Sequence, residues 1–180
     1  MRPRLPDVLR TPSGRIELAP EEIVADVPRL ESELARTTAA NGAGNGRMVL
    51  IGRRQLRSNN SWMHNIPALV KGKDRCTLHI HPSDAERLGV ADGAGVRVTS
   101  DTGELVAPAE VTDAIMPGVI SIPHGWGHGA PGVRLAVASA HAGVNSNLLA
   151  PVEVDLPSGN AVLNGIEVEV TAADREPAVA

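Results

Sequence analysis

Short apolar runs separated by glycine, proline, asparagine and aspartate restrict this chain to a mainly β fold more than any other feature. Six such runs follow residue 46: Met48–Ile51, Thr77–Ile80, Val96–Ser100, Glu104–Thr112, Val119–Ile122 and Ile166–Thr171. Asp101, Thr102 and Gly103 are typical of a hairpin turn between the third and fourth runs. Pro108 removes a backbone donor from the fourth run, so we expect that strand to lie at an edge or to be bulged there. The pattern predicts a barrel or a sandwich.

One short helix is predicted between the second and third runs. Pro82 stands at the first helical position, Asp84 adds an acid to the first turn, and Gly89 is a typical C-terminal cap. A strand, a short helix, a turn at Asp92 and Gly93, and a second strand form a compact unit of the kind found in small β-barrels.

The first 46 residues have a different character from the rest of the chain. We expect a turn at residues 11–14, a short strand at 15–18 and a helix start at Pro20. Apolar residues then recur at helical spacing but are interrupted by Pro28, and residues 39–46 have the composition of a flexible linker. We therefore predict three parts: a partly flexible connector or tail of a preceding domain over 1–46, a barrel over 47–171, and a disordered tail over 172–180.

Charge and aromatic content narrow the classes of ligand. The formal net charge is -4, yet six basic residues and one acid lie between Arg53 and Arg75. A nucleic-acid-binding protein would be more basic and richer in aromatic residues than this chain, which is 1% aromatic. We expect a small phosphorylated ligand and no nucleic acid, and a core of aliphatic side chains.

Cysteine content and hydropathy limit the possible disulfides, metal sites and membrane segments of the chain. Cys76 is the only cysteine, so the chain contains no internal disulfide and no metal or iron–sulfur site made of cysteines alone. No stretch approaches the roughly 20 apolar residues of a membrane helix, and the N-terminus lacks an apolar signal core. We expect a cytoplasmic chain without a membrane partner.

A polar loop directly after the first run is the main candidate for ligand binding. Arginine offers a planar set of donors that suits phosphate, amides provide neutral hydrogen bonds, and an indole can cover a flat ring. A solvated charged loop is the alternative at this point. The candidate residues are Arg53, Arg54, Arg57, Asn59, Asn60 and Trp62.

Histidine and asparagine pairs are the other candidates for chemistry. His79 with His81 and His124 with His128 could suggest zinc, but no carboxylate or thiol completes a ligand set, so we expect no metal site. Trp126, between the second pair, could contact a ligand or plug the space under a loop. Asn145 and Asn147 could present amides to a nucleobase or could cap a short helix, and both readings remain open.

Five motifs in order, with similar spacing, resemble the molybdopterin dinucleotide-binding domain that ends the large subunit of dimethyl sulfoxide reductase-type oxidoreductases, including formate dehydrogenases and nitrate reductases. The resemblance covers residues 47–171, and residues 11–18 also resemble the segment that closes the preceding domain in those enzymes. The motifs are Leu50–Arg54 with Asn59–Ser61, Ile80–Gly93, Pro117–Ile120 with His124–Gly127, Gly143–Leu149, and Ser158–Asn160.

The resemblance implies a six-stranded double-psi β-barrel with short helices, of the aspartate decarboxylase-like type, that binds molybdopterin guanine dinucleotide. Molybdenum or tungsten would be held through the pterin dithiolene and by other domains, so the partner is the remainder of a molybdenum oxidoreductase. Many relatives have a basic residue near position 164, where this chain has a neutral amide. A stand-alone double-psi barrel that acts as an interaction module without molybdopterin is the alternative. The implied cofactor residues are Arg53, Arg54, Arg57, Asn59, Asn60, Trp62, His64, His124, Trp126, His128, Asn145, Asn147 and Asn164.

Overall fold

The computed structural model describes residues 4–5, 7–41 and 47–173, and its centre is a closed barrel of six strands. The strands occur in the spatial order β1-β5-β2-β4-β3-β6. Each of the six predicted runs forms one strand, with ends that differ from the prediction by no more than two residues. The strands are β1 (Arg47–Arg53), β2 (Leu78–Ile80), β3 (Gly95–Thr99), β4 (Glu104–Val111), β5 (Val119–Pro123) and β6 (Ile166–Ala172).

The pairing is mixed, as the expected double-psi β-barrel requires. β1 lies parallel to β5 and β2 lies parallel to β4, whereas the remaining neighbours are antiparallel. Parallel neighbours leave the barrel at the same end, so the loops that follow β1 and β5 emerge side by side. The prediction of a mainly β, six-stranded double-psi barrel is confirmed.

Pro108 does not mark an edge strand, because the barrel is closed. β4 pairs with β3 as far as Pro108 and with β2 from Ala109 onward. The proline thus stands where the strand changes partners.

The core is aliphatic, as the composition predicts. Alternating residues of the strands point inward, and many of these side chains are completely or almost completely buried. They include Met48, Leu50, Leu78, Ile80, Val96, Val98, Ala107, Ile120, Ile122, Val168 and Val170. Burial of each larger aliphatic side chain stabilises the fold by about 1.5–3 kcal/mol.

Short helices connect the strands. The predicted helix is α4 (Pro82–Leu88), with proline in the first turn and Gly89 as a left-handed C-terminal cap. The others in the barrel region are α3 (Pro67–Val70), α5 (Ala136–Ser139) and a 3-10 turn at Ser146–Leu149.

The segment before the barrel differs from the prediction in two places. The predicted turn is present, with Gly14 N–H donating to the Thr11 carbonyl, but residues 15–18 form no strand. After α1 (Glu21–Val24), a helix α2 runs over Val27–Asn41, so Pro28 lies in its first turn instead of interrupting it. Proline is tolerated there because the first turn of a helix does not use that N–H. Most of the predicted linker, residues 42–46, and residues 174–180 of the predicted tail lie outside the described residues.

Among the described residues, no helix is both long enough and apolar enough to cross a bilayer.

Candidate functional site

Three loops meet at the end of the barrel where β1 and β5 finish. Arg53 and Pro123 are register partners in the parallel pair, so the loop after each strand begins at the same height. We call residues 54–66 the arginine loop, residues 124–129 the histidine loop, and residues 143–147 the asparagine loop. His124 N–H donates to the Arg53 carbonyl at 3.0 Å, which ties the first two loops together at their origin.

Two glycines of the histidine loop allow this close approach. Gly125 and Gly127 have φ angles of 101° and 109°, a region that L side chains rarely adopt. A Cβ atom at Gly125 would collide with the Asn60 carbonyl oxygen, and one at Gly127 would lie 2.6 Å from the Asn145 Cβ. The histidine loop is therefore packed between the arginine loop and the asparagine loop.

Arg53 is tied to the barrel. Its Nη1 donates to the Ser121 carbonyl at 2.5 Å, and its Nη2 donates to the Thr77 carbonyl at 2.7 Å. Burial lowers the pKa of the guanidinium, and the charge of Glu110 opposes that shift. The structure thus places this arginine among backbone carbonyls of neighbouring strands, with its Nε buried and unpartnered among the described residues.

Arg54 and Arg57 are exposed and face two different hollows. Arg54 borders a cleft of about 80 Å³ and donates through one Nη to the Asn60 side chain. Arg57 lines a second hollow, together with His64 and Trp126. Asn59 and Asn60 have left-handed φ angles of 43° and 61°, which lets the arginine loop turn sharply directly after these two arginines.

The cleft brings together four of the predicted cofactor residues. Arg54 and His124 come from the loops after β1 and β5, and Asn147 and Asn164 come from later in the chain. The Asn164 Oδ1 accepts from Gly52 N–H at 2.7 Å, which holds this amide beside the end of β1. The cleft therefore contains one guanidinium, one imidazole and two amides at a single opening.

The Asn145 side chain caps a short helix, which is one of the two roles that the sequence allows for it; the other is contact with a nucleobase. Its Oδ1 accepts from Asn147 N–H at 3.1 Å and caps the 3-10 turn at Ser146–Leu149. This bond leaves Asn147 exposed at the cleft. Ser146 also borders the cleft and was not singled out from the sequence, although it lies between the two asparagines.

His64 and His128 form a direct pair beneath the histidine loop. His64 Nδ1 lies 2.7 Å from His128 Nε2, and the His64 ring lies 4.2 Å from the Trp126 ring between centroids. Burial lowers the pKa of both imidazoles, so the pair is neutral near pH 7. His64 Nε2 is buried and has no hydrogen-bond partner among the described residues. Sequence spacing could not predict this pair, because 64 residues separate its members.

The two tryptophans differ in their surroundings. Trp126 packs on His64 and lines the second hollow, whereas Trp62 is 82% exposed at the tip of the arginine loop. Protein contacts therefore fix the position of the Trp126 side chain more firmly than that of Trp62.

The two histidine pairs that were considered for zinc do not form pairs in the structure. His79 contacts Glu110, His81 caps α4 through Ser83 N–H, and His128 contacts His64 instead of His124. Across the part of the chain that the structure describes, no group of three or more His, Cys, Asp or Glu side chains converges on a possible metal position. The absence of a metal site stays a prediction.

Sequence comparison relates most of the chain to one family. The model of the family described as "Molydopterin dinucleotide binding domain" matches residues 48–166. The molybdopterin-containing subunit ArrA of the arsenate respiratory reductase from Chrysiogenes arsenatis is 34% identical over 120 residues, which cover 62% of this chain and 14% of that protein. A dimethyl sulfoxide/trimethylamine N-oxide reductase from Cereibacter sphaeroides is 32% identical over 127 residues, covering 65% of this chain and 15% of the reductase.

Structural comparison identifies a similar fold in acetylene hydratase from Pelobacter acetylenicus. The TM-score is 0.59 at 22% sequence identity, and the match covers 88% of this chain and 21% of the hydratase. In each of these three proteins the matching region is a small part of a much longer polypeptide.

Proposed function

Because the chain belongs to the molybdopterin dinucleotide-binding domain family, we propose that it forms one wall of a cofactor site shared with the rest of a larger oxidoreductase. The cofactor of this domain is molybdopterin guanine dinucleotide. Family membership favours this function over that of a stand-alone interaction module. When bound, the cofactor supplies the metal and the dithiolene for redox chemistry, whereas this chain supplies contacts that hold and orient it.

The convergence of three loops on one cleft is the observation that carries the proposal. Arg54, His124, Asn147 and Asn164 come from distant parts of the sequence and share one opening. A guanidinium suits the pyrophosphate, and amides can donate to and accept from the edge of a guanine or a pterin. The donor set therefore fits a phosphorylated heterocyclic ligand.

The size of the cleft supports a shared site. Ligand pockets usually have volumes of about 300–1,000 Å³ and enclose most of a ligand. The cleft has a volume of about 80 Å³, and the second hollow has a smaller volume of about 20 Å³. Only part of a dinucleotide cofactor can be covered by this chain, so other polypeptide must cover the remainder.

We assign the predicted residues to two roles. Contacts to the cofactor come from the exposed or half-buried side chains Arg54, Arg57, Trp62, His124, Trp126, Asn147 and Asn164. Support of the loops comes from the side chains with protein partners or strained backbone, Arg53, Asn59, Asn60, His64, His128 and Asn145.

Loss of Arg54 should weaken retention of the cofactor in the assembled oxidoreductase. A hydrogen bond to a charged group contributes about 1.5–3 kcal/mol, so we expect Arg54→Ala to lower affinity roughly 10- to 100-fold. Cofactor content per protein after purification, measured from the released pterin and guanine nucleotide, is the readout. Arg97→Ala is the control, because Arg97 is a partly exposed arginine on β3 that pairs with Glu104. Full occupancy in both Arg54→Ala and Arg57→Ala would contradict the proposed contacts.

The domain boundaries of the chain and its cellular location are part of the same proposal. We retain residues 1–46 as a connector from a preceding domain, 47–171 as the cofactor-binding unit and 172–180 as a tail, although β6 continues to Ala172. A cytoplasmic location and the absence of nucleic-acid and membrane partners stay predictions from the sequence.

A further inference from the structure

A series of side-chain hydrogen bonds links Arg53, at the end of β1, to the carboxylate of Glu110 in β4. Arg53 can only donate, so Thr77 Oγ1 accepts from its Nη2 at 3.0 Å. The Thr77 hydroxyl in turn donates to Glu110 Oε2 at 2.6 Å. Two side chains, a threonine and an arginine, thus connect Glu110 to the start of the arginine loop.

The contacts of this network cross four adjacent strands. Arg53 ends β1 and bonds Ser121 in β5, Thr77 directly precedes β2, and Glu110 lies in β4. These strands are consecutive neighbours in the order β1-β5-β2-β4. The network therefore bridges these four strands at the end of the barrel that carries the three loops.

Glu110 also supplies the nearest negative charge of the network. The direct acceptors of the half-buried Arg53 guanidinium are two neutral carbonyls and a hydroxyl. His79 Nε2 lies 3.5 Å from Glu110 Oε2, and Lys73 Nζ lies 3.8 Å from Oε1, but the Lys73 side chain is 79% exposed. The basic neighbours of Glu110 are thus His79, Lys73 and Arg53, and solvent screens the charge of the exposed Lys73 most strongly.

We propose that Glu110 is a positioning residue for the cofactor site, which it serves by holding Arg53 in place through Thr77. Arg53 precedes Arg54 directly, and its carbonyl accepts from His124 N–H, so Arg53 lies at the point where the arginine and histidine loops begin. The inference rests on the proposed function, since only that function makes these loops cofactor contacts.

The first test follows the Arg53 Nε–H by NMR in the full 180-residue chain. This group is buried and lacks a partner among the described residues, so its exchange with solvent reports the position of the side chain. We expect Glu110→Ala to accelerate this exchange at least tenfold, and Glu110→Gln, which keeps an acceptor for Thr77, to restore part of the protection. Glu104→Gln is the control on the same strand and should change nothing.

Thr77 provides an independent variant if Glu110→Ala does not fold. Thr77→Val keeps the shape but removes the hydroxyl, whereas Thr77→Ser restores it. Faster Arg53 exchange in Thr77→Val and recovery in Thr77→Ser, with unchanged protection of core amides such as Val98, would support positioning. Unchanged Arg53 exchange in Glu110→Ala or Thr77→Val, or an equal loss of protection throughout the barrel, would overturn it.

Cofactor content of the assembled oxidoreductase separates this inference from the proposed function. We expect Glu110→Ala to lower the content severalfold and Glu110→Gln to lower it less. A wild-type assembly without molybdopterin guanine dinucleotide would refute the proposed function, while the exchange result on Arg53 would stand. Normal cofactor content in a Glu110→Ala variant with a loosened Arg53 would overturn the inference alone.

Discussion

Neighbouring arginines at the end of β1 differ because successive side chains of a strand point to opposite faces. Arg53 turns toward the neighbouring strands, where it meets the carbonyls of Thr77 and Ser121, and Arg54 turns to the cleft. Sequence alone predicts the same phosphate-binding role for both. The distinction comes from partners that are 24 and 68 residues away.

Arg53→Ala should reduce the free energy of unfolding by about 2–6 kcal/mol, because it removes the Arg53 donor from two carbonyls and an unsatisfied buried polar group costs about 1–3 kcal/mol. Urea unfolding of the full chain measures the change. Arg57→Ala is the matched control, since Arg57 is exposed and a surface substitution changes stability by only about 0.5 kcal/mol. Equal losses in the two variants would contradict the structural role of Arg53.

His64 should make stability depend on pH below about 6.5. Burial lowers its pKa, the nearby His128 lowers it further, and the Gly125 backbone partly opposes both effects. The unfolded chain therefore takes up a proton first as the pH falls through 6.5, the ordinary value, and stability present above that pH is lost toward the folded pKa.

His64→Gln should flatten this loss of stability between pH 6.5 and 5, although His128, whose pKa is also lowered, keeps part of it. Urea unfolding at several pH values is the measurement, and His141→Gln, at an exposed position, is the control. An unaltered slope in His64→Gln would show that burial of this imidazole is not the cause.

At the scale of elements, local patterns predict the strand positions, whereas only the family resemblance predicts how the strands pair. Period-two patterns and turn residues are local, so all six strands and α4 could be located from the residues themselves. The sequence pattern does not predict the helix at Val27–Asn41, because Pro28 is typical of a helix break, although a proline in the first turn starts a helix equally well. The pairing of His64 with His128 and of Arg53 with Thr77 depends on the order of strands in the barrel, which no local pattern contains.

Gly125→Ala should disrupt the contact between the histidine and arginine loops. The added Cβ would collide with the Asn60 carbonyl oxygen, in addition to the strain of a φ of 101°. Gly132→Ala isolates the collision, since Gly132 has a φ of 91° and nothing within 4 Å of its Cβ position. We expect Gly132→Ala to cost about 1 kcal/mol and Gly125→Ala at least 1 kcal/mol more in urea unfolding. Similar costs would mean that the two loops separate easily.

At the scale of the whole molecule, large apolar side chains remain exposed outside the barrel. Leu30 and Leu34 of α2 are 62% and 65% exposed, and Val152 and Leu156 beyond the 3-10 turn are more exposed still. Arg29 of α2 lies 3.5 Å from Asp155, so the two apolar regions are neighbours. Exposed apolar side chains that lie close together are typical of a contact region. This agrees with the proposal that other polypeptide of the oxidoreductase covers the chain.

The isolated chain should therefore bind the cofactor's nucleotide portion only weakly. Guanosine diphosphate carries the guanine and the pyrophosphate and serves as the probe in a calorimetric titration of the full 180-residue chain. The chain covers a small part of the ligand, and ordering each exposed side chain on binding costs roughly 0.5–1.5 kcal/mol, so we expect a Kd of about 100 μM or weaker. Arg54→Ala should abolish the residual heat, whereas the Arg97→Ala control should leave it unchanged. Binding in the nanomolar range would show that the cleft is sufficient by itself, and would contradict the shared site.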